Sequence, residues 1–243
     1  MTPEEIRELK ESGVLLVDKP SEWTSHDVVG CIRGRFRFRK VGHCGTLDPA
    51  ATGLLVVVLG QATRLSDKLS GQDKVYAGTL RLGVETDSQD RDGKVTRTVD
   101  AAHITPAEVE QAAARFTGEL KQIPPMVSAI KVDGRPLYKL ARKGVEIVRE
   151  PRPITIHHLT LGRIAIPDVA FEVACSKGTY VRTLAADIGA VLGVGAHLLD
   201  LRRLRSGAFS VADAVTMDVV KSWTRDDCLA HMIPIASLVP YLK

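Results

Sequence analysis

An aspartate followed by proline, Asp48-Pro49, sits between Gly45 and Gly53 and runs into the aliphatic stretch Leu54-Leu55-Val56-Val57-Val58-Leu59. Desolvation and a nearby cation would set the reactivity of a carboxylate at the edge of an apolar core, a placement suited to acid–base or nucleophilic work. Leu-Asp-Pro-Ala also suits a plain turn in which the Asp side chain accepts from local N–H groups. Just upstream, His43-Cys44 raises a second chemistry, a thiol nucleophile with a histidine base. Neighbours on an extended chain point to opposite sides, so this pair could not hydrogen-bond without an unusual turn. His26, His43, Cys44 and Asp48 lack the spacing of metal ligands.

Three further residues stand out. Tyr76 lies on an alternating run and Tyr180 in Ser176-Lys177-Gly178-Thr179-Tyr180-Val181-Arg182, where a strand turns into a helix. Tyrosines in such places pack half-buried unless a ligand needs them. Arg182 opens a helix whose macrodipole opposes a cation there, which calls for a carboxylate partner, with Asp48 one candidate. Cations concentrate in Arg33 to Lys40, interleaved with Phe36 and Phe38, in Lys131 to Arg152, and in Arg202, Arg203 and Arg205. One such run is an ordinary solvated face, but three suggest a polyanion such as RNA or DNA.

The elements that must hold these residues follow from pattern. Thr2-Pro3-Glu4-Glu5 and Thr105-Pro106-Ala107-Glu108 have the form of capping boxes with proline at the first helical position, the second opening a helix to about Phe116. Val14 to Val17 reads as a buried strand, Asp18 to Ser21 as a turn, and Thr24 to Gly34 as a helix burying Val28, Val29 and Ile32. Val41 to Gly53 reads as an ordered loop leading into the Leu54 to Leu59 strand. Strands are expected at Val75 to Gly83, Ile154 to Ile166 and Val169 to Cys175, with an acidic loop from Glu85 to Gly93. A further helix should bury Leu184, Ala185, Ile188, Val191 and Leu192. Strands both in hairpin succession and separated by helices make the class α+β with a mixed or antiparallel sheet.

With 243 residues, 44% of them hydrophobic, the chain can bury a sizeable core. Its longest aliphatic run falls far short of the roughly 20 residues a spanning helix needs, and Met1 to Gly13 has no secretory character, so the expected location is cytoplasmic. Four cysteines without C-x-x-C spacing predict neither a disulfide framework nor structural zinc. Net charge is only +4, so the distribution of cations matters more than their sum.

Gly42-His43-Cys44-Gly45-Thr46-Leu47-Asp48-Pro49-Ala50-Ala51-Thr52-Gly53-Leu54-Leu55 resembles the catalytic motif of the TruB family of tRNA pseudouridine synthases. Gly13 to Pro20, Lys74-Val75-Tyr76, Pro124 to Lys131, Ser176 to Arg182 and Leu201-Arg202-Arg203-Leu204 agree in order and spacing, so the resemblance covers roughly residues 12 to 215. It implies the pseudouridine synthase α+β fold, a long mixed sheet flanked by helices with a central catalytic cleft. The implied activity is isomerisation of uridine at position 55, in the tRNA T loop, by base flipping and without metal or organic cofactor.

On that resemblance Asp48 is the essential carboxylate and Arg182 pairs with it. His43 supports the rearranged loop, Tyr76 stacks on the flipped base, and Tyr180 and Leu201 line the pocket. RNA-backbone contacts are expected from Lys19, Arg37, Lys131, Arg142 and Arg202. Residues 1–215 would form the catalytic domain, with a basic thumb at about 123–152, and 216–243 a short appendage without room for a further RNA-binding domain. The expected partner is the tRNA T arm, with no membrane, no obligate protein partner and a monomeric state. A non-catalytic RNA-binding module, or a related synthase acting on another RNA, is the alternative; both would keep the shape.

Overall fold

The computed structural model describes residues 2, 8–128, 131–132, 135–137, 145 and 147–242, in two compact units, Met1–Tyr76 with Leu201–Lys243, and Ala77–Asp200. The first unit begins with β1 (Gly13–Lys19), α1 (Ser25–Phe36), β2 (Val41–Cys44) and β3 (Thr52–Leu59). β3 pairs antiparallel with β1 along one edge and with β2 along part of the other. Both long strands are almost wholly apolar because both their faces are covered. Leu15, Val17, Leu55, Val57 and Leu59 pack with Val28, Val29, Ile32 and Phe36 of α1. Val14, Leu16, Leu54, Val56 and Val58 face the other way, onto Ala62, Leu69, Phe209 and Leu238.

α1 starts where its capping box dictates: Asp27 N–H donates to Thr24 Oγ1, and the Asp27 carboxylate accepts from Thr24 N–H at 2.8 Å. It ends at Arg37, in the left-handed region with φ 53°. Two expectations need correction in this stretch, and one alternative is decided. Phe36 and Phe38, which could stack or pack, pack in the core, 1% and 5% exposed. Asp18 and Lys19 extend β1 instead of turning. Val41 to Cys44 is strand, its backbone laddered onto Val56–Leu59, which leaves only residues 45–51 as the loop.

α2 (Ser66–Ser70) and β4 (Lys74–Leu82) lead into the second unit. β5 (Val84–Thr86) and β6 (Val95–Thr98) form a hairpin, which shortens the expected acidic loop, and α3 (Pro106–Ala114) carries the second capping box. β7 (Gly118–Gln122) is followed by the short pair β8 (Lys131–Val132) and β9 (Arg135–Pro136). β10 (Arg152–Ala165) and β11 (Asp168–Cys175) make a long antiparallel hairpin in the strand order β4, β11, β10, β7. Val169, Phe171, Val173 and Cys175 share its buried face. α4 (Val181–Val191) buries Leu184, Ala185 and Ile188, whereas Val191 is 42% exposed, since it lies at the stripe's margin on the helix's last residue. Most of the expected basic thumb, including Lys139, Arg142 and Lys143, lies outside the described residues, as do the side chains of Lys131 and Arg135.

β12 (Ala196–Ser206) returns the chain to the first unit, where β13 (Phe209–Ser210) pairs with it and Arg202 and Arg203 run parallel to Thr52 and Gly53 of β3. β14 (Val215–Thr216) then pairs parallel with β1 at Val17 and Asp18, α5 (Met217–Ser222) and α6 (Arg225–His231) follow, and β15 (Ile233–Pro234) pairs antiparallel with β1 at Gly13 and Val14. Met217, Val220, Cys228 and Met232 complete the α1 core and Leu238 the opposite one. Residues 216–238 therefore belong to the body of this unit and are no appendage; two-residue strands carry no sequence period that could have announced them. The α+β class with a mixed sheet holds. No helix among the described residues is long and apolar enough to cross a membrane.

Candidate active site

Asp48 is half-buried on the loop joining β2 to β3, in a tight turn closed by the Ala51 N–H donating to its carbonyl. Side chains and backbone from three directions tether that loop. Ser25 Oγ, on the first turn of α1, donates to Leu47 O and accepts from Leu47 N–H at 2.9 Å. Ser21 Oγ donates to Ala50 O and Glu22 N–H to Pro49 O. Lys19, at the end of β1 and with no exposed surface, donates from Nζ to Pro49 O (3.0 Å), Pro20 O (2.8 Å) and Trp23 O (2.6 Å).

Burial pulls the Lys19 ammonium down to about 8, and the Asp48 carboxylate is the strongest charge acting against that. Arg203, 1% exposed, donates from Nε to Leu54 O at 2.7 Å and from Nη2 to Gly45 O at 3.0 Å, so one guanidinium grips the chain before and after Asp48. Gly53, at φ 98°, lets β12 approach so closely that a Cβ there would sit 2.3 Å from Arg203 O.

One of the expected RNA-backbone residues is corrected by this geometry. Lys19 is sealed in and its three donors meet backbone carbonyls, so it cannot meet a phosphate. Arg202 forms a bidentate pair with Asp18 (2.9 and 2.7 Å) and its side chain stays 41% exposed. Arg37 is exposed, while the Lys131 side chain and Arg142 lie outside the described residues.

His43 and Cys44 point to opposite faces of β2. Cys44 is fully buried among Val14, Leu54 and Val58, and burial pushes its thiol up to about 11, which removes it as a nucleophile. The His43 ring meets His26 edge-on at 5.4 Å. Burial, then His26 and Arg203, push His43 down to about 4, so it is neutral at physiological pH. Among the described residues no cluster of three or more His, Cys, Asp or Glu side chains could hold a metal ion.

His43 therefore imposes a pH dependence on stability. Between pH 6.5 and about 4 the unfolded chain takes up a proton that the folded one refuses, so stability falls as pH drops through this window, by about 3 kcal/mol at most. The His43→Gln chain should lose correspondingly less stability on acidification; urea midpoints of both chains at pH 7 and 4.5 measure it, and parallel losses would contradict the assignment.

Tyr76 is 8% exposed on the buried face of β4, with Lys74 and Leu80, and Leu201 is half-buried on β12. In the second unit Tyr180 is the half-buried N-cap of α4. Gln122, a residue the sequence reading passed over, clasps its backbone in both directions: its side-chain oxygen accepts from Tyr180 N–H at 2.8 Å and its amide donates to Tyr180 O at 3.1 Å. Arg182 is 4% exposed, and the carboxylate its position required includes Asp90, at 3.4 Å. It also donates to Ser88 O and Val127 O, which ties α4 to the β5–β6 turn and to the segment after β7. Asp90 and Ser25 also escaped the sequence reading, which placed Arg203 among the cations facing a polyanion, whereas it is buried. For Arg203 a signal existed: adjacent arginines on a strand face opposite sides, so one of Arg202 and Arg203 had to point inward.

The comparisons with known proteins agree with one another. Residues 33–181 match the model of the TruB family pseudouridylate synthase N-terminal domain, and residues 182–239 that of the tRNA pseudouridylate synthase B C-terminal domain. The tRNA pseudouridine synthase B of Opitutus terrae is 50% identical over 228 residues, 94% of this chain and 95% of that one. The protein of the same name from Syntrophotalea carbinolica is 52% identical over 225 residues, 93% of this chain and 74% of that one. Among solved structures, a chain of a Cbf5-Nop10-Gar1 complex superposes with TM-score 0.74 at 30% identity, and one from an H/ACA RNP bound to a substrate RNA containing 2′-deoxyuridine with TM-score 0.70 at 28%. Each covers 99% of this chain, which spans 64% of the length of either. A family model that matches well over half the chain, together with half-identical relatives along nearly all of it, shows that this chain belongs to the TruB family of pseudouridylate synthases.

Proposed function

We propose that this chain isomerises uridine to pseudouridine in tRNA, at position 55 in the T loop, with Asp48 the carboxylate on which turnover depends. The observation that carries the proposal is the Asp48 loop, pinned at Gly45, Leu47, Pro49 and Leu54 in a chain half-identical to tRNA pseudouridine synthases B. The reaction breaks the N1–C1′ glycosidic bond, turns the uracil and joins C5 to C1′, with loss of the C5 proton and gain of one at N1. A fixed carboxylate can stabilise or trap the separated pieces, and an adjacent base can take the C5 proton. The target base is stacked in its loop, so it must first be extruded.

In this reading Tyr76 stacks on the extruded uracil, Tyr180 and Leu201 bound its pocket, His43 supports the opened loop, and Arg182 keeps the carboxylate ionised and oriented. Arg37, Lys131 and Arg142 meet phosphates, and the basic segment at 123–152 serves as a thumb on the T arm. The chain acts as a cytoplasmic monomer without an obligate protein partner. The deciding experiment supplies the native chain with an unmodified tRNA transcript tritiated at uracil C5. About one equivalent of tritium released, with the new pseudouridine mapped to position 55, is the expected result; no release, or release mapped elsewhere, would overturn it.

A further inference from the structure

β7 alternates up to its last residue. Gly118, Leu120 and Gln122 share the inward face and Glu119 and Lys121 the exposed one, so the period calls for an apolar side chain at 122, where an amide stands instead, 4% exposed. A buried amide brings donors and an acceptor that must be met. Both ends of this one go to a single residue 58 positions away: Gln122 Oε1 accepts from Tyr180 N–H at 2.8 Å and Nε2 donates to Tyr180 O at 3.1 Å. Tyr180 is extended, with φ −98° and ψ 106°, so the two opposed bonds form one rung of a strand pairing made by a side chain. They fix the backbone plane of Tyr180 and with it the direction in which its ring leaves the chain.

Other helices of this chain settle the same backbone group locally. α1, α3 and α6 begin with a threonine whose N–H is accepted by an acidic residue three positions on, Asp27, Glu108 and Asp227. α4 begins with Tyr180, whose side chain makes no capping bond, and its third residue is Thr183, whose hydroxyl turns to Gln89 Oε1 at 2.8 Å. A local box stabilises a helix end wherever that end lies, whereas a tether from another strand fixes where it lies. The stretch that leaves β7 adds a second tie, since Val127 O accepts from Arg182 at 2.8 Å. We propose that Gln122 is a positioning residue for the reaction, acting through Tyr180 by holding its ring at the wall of the base pocket while touching neither the uridine nor the reacting atoms. The proposal rests on the reading of Tyr180 as part of that pocket in an RNA-acting synthase.

Two substitutions test it. Gln122→Met keeps the volume and withdraws both bonds; Gln122→Asn keeps the amide but, one methylene shorter, reaches only one of the two groups. Single-turnover tritium release from the C5-tritiated transcript, with the protein saturating and in excess, reports folded molecules alone, so a loss of stability does not by itself move the rate constant. Release should slow about 30-fold in Gln122→Met and about tenfold in Gln122→Asn, with transcript Kd within about threefold of native, because a displaced wall misaligns the base without removing RNA contacts. On a Tyr180→Ala background either substitution should slow release by no more than about twofold further, since no ring is left to place. Native rate constants in both Gln122 variants, a loss carried by Kd, or the full loss repeated on the Tyr180→Ala background would overturn the proposal, and should Gln122→Met not fold, the cycle with Gln122→Asn decides. Failure of the functional reading looks different: the native chain itself would release no tritium from tRNA.

Discussion

Asp48→Asn should abolish release of the C5 hydrogen, slowing it by about 10⁴-fold or more, a loss of about 5.5 kcal/mol of transition-state stabilisation. Asparagine keeps the shape and the local turn, in which the main-chain carbonyl of residue 48 accepts from Ala51 N–H, and replaces the carboxylate with a neutral amide. Because Lys19 is held by three carbonyls, one of them in this loop, the loop should stay in place. The thermal midpoint should therefore stay within a few degrees and transcript affinity within a few-fold. The decisive comparison is single-turnover tritium release set beside binding. A variant that keeps a tenth of native turnover would show that the carboxylate is not essential, and one that loses affinity in step with turnover would show that Asp48 acts by binding alone.

The second large effect should come from a methyl group. Gly53→Ala places a Cβ 2.3 Å from Arg203 O and 2.8 Å from Arg203 N, backbone atoms with no flexible end to swing away, at a φ of 98° that alanine resists. The close approach of β3 and β12 at the Gly53–Arg203 pair must open, and with it the grip of Arg203 on Gly45 O and Leu54 O. Strain and overpacking together should cost about 3–5 kcal/mol, with turnover down roughly 100-fold in whatever fraction folds. Gly30→Ala is the matched control: it sits in α1 with nothing within 4 Å of the added Cβ and should gain a few tenths to about 1 kcal/mol. Urea unfolding of the two variants separates a site-specific clash from a general intolerance of alanine, and equal midpoints would refute the packing assignment.

Much of the scaffold was legible because its signals are local. Long apolar runs became β1 and β3, Thr105-x-x-Glu108 became a capping box, and the alternation after Lys74 became β4, whereas the box expected at Thr2 to Glu5 lies outside the described residues. The demand of Arg182 for a carboxylate was legible from its helix position alone, and Asp90 helps to meet it. What escaped depended on tertiary contact. Lys19 and Arg203 are charged, and composition places charge at the surface; only the fold reveals that they are interior fasteners whose donors satisfy loop carbonyls that would otherwise lack partners. Phe36 and Phe38 could have stacked or packed beside their cationic neighbours, and only the fold shows that the rings turn inward. The short strands β14 and β15 exist only because β1 offers them an edge.

The interleaved chain order has a kinetic consequence. Unit Ala77–Asp200 is continuous in sequence, whereas its companion needs both Met1–Tyr76 and Leu201–Lys243. During synthesis the continuous unit can fold as it emerges, but β1 must wait for β14 and β15, and the Asp48 loop for Arg203, roughly 150 residues later. A ribosome-bound chain halted before β12 therefore carries the whole catalytic motif without its clasp, and competence should arrive late and abruptly, with the closing strands of translation.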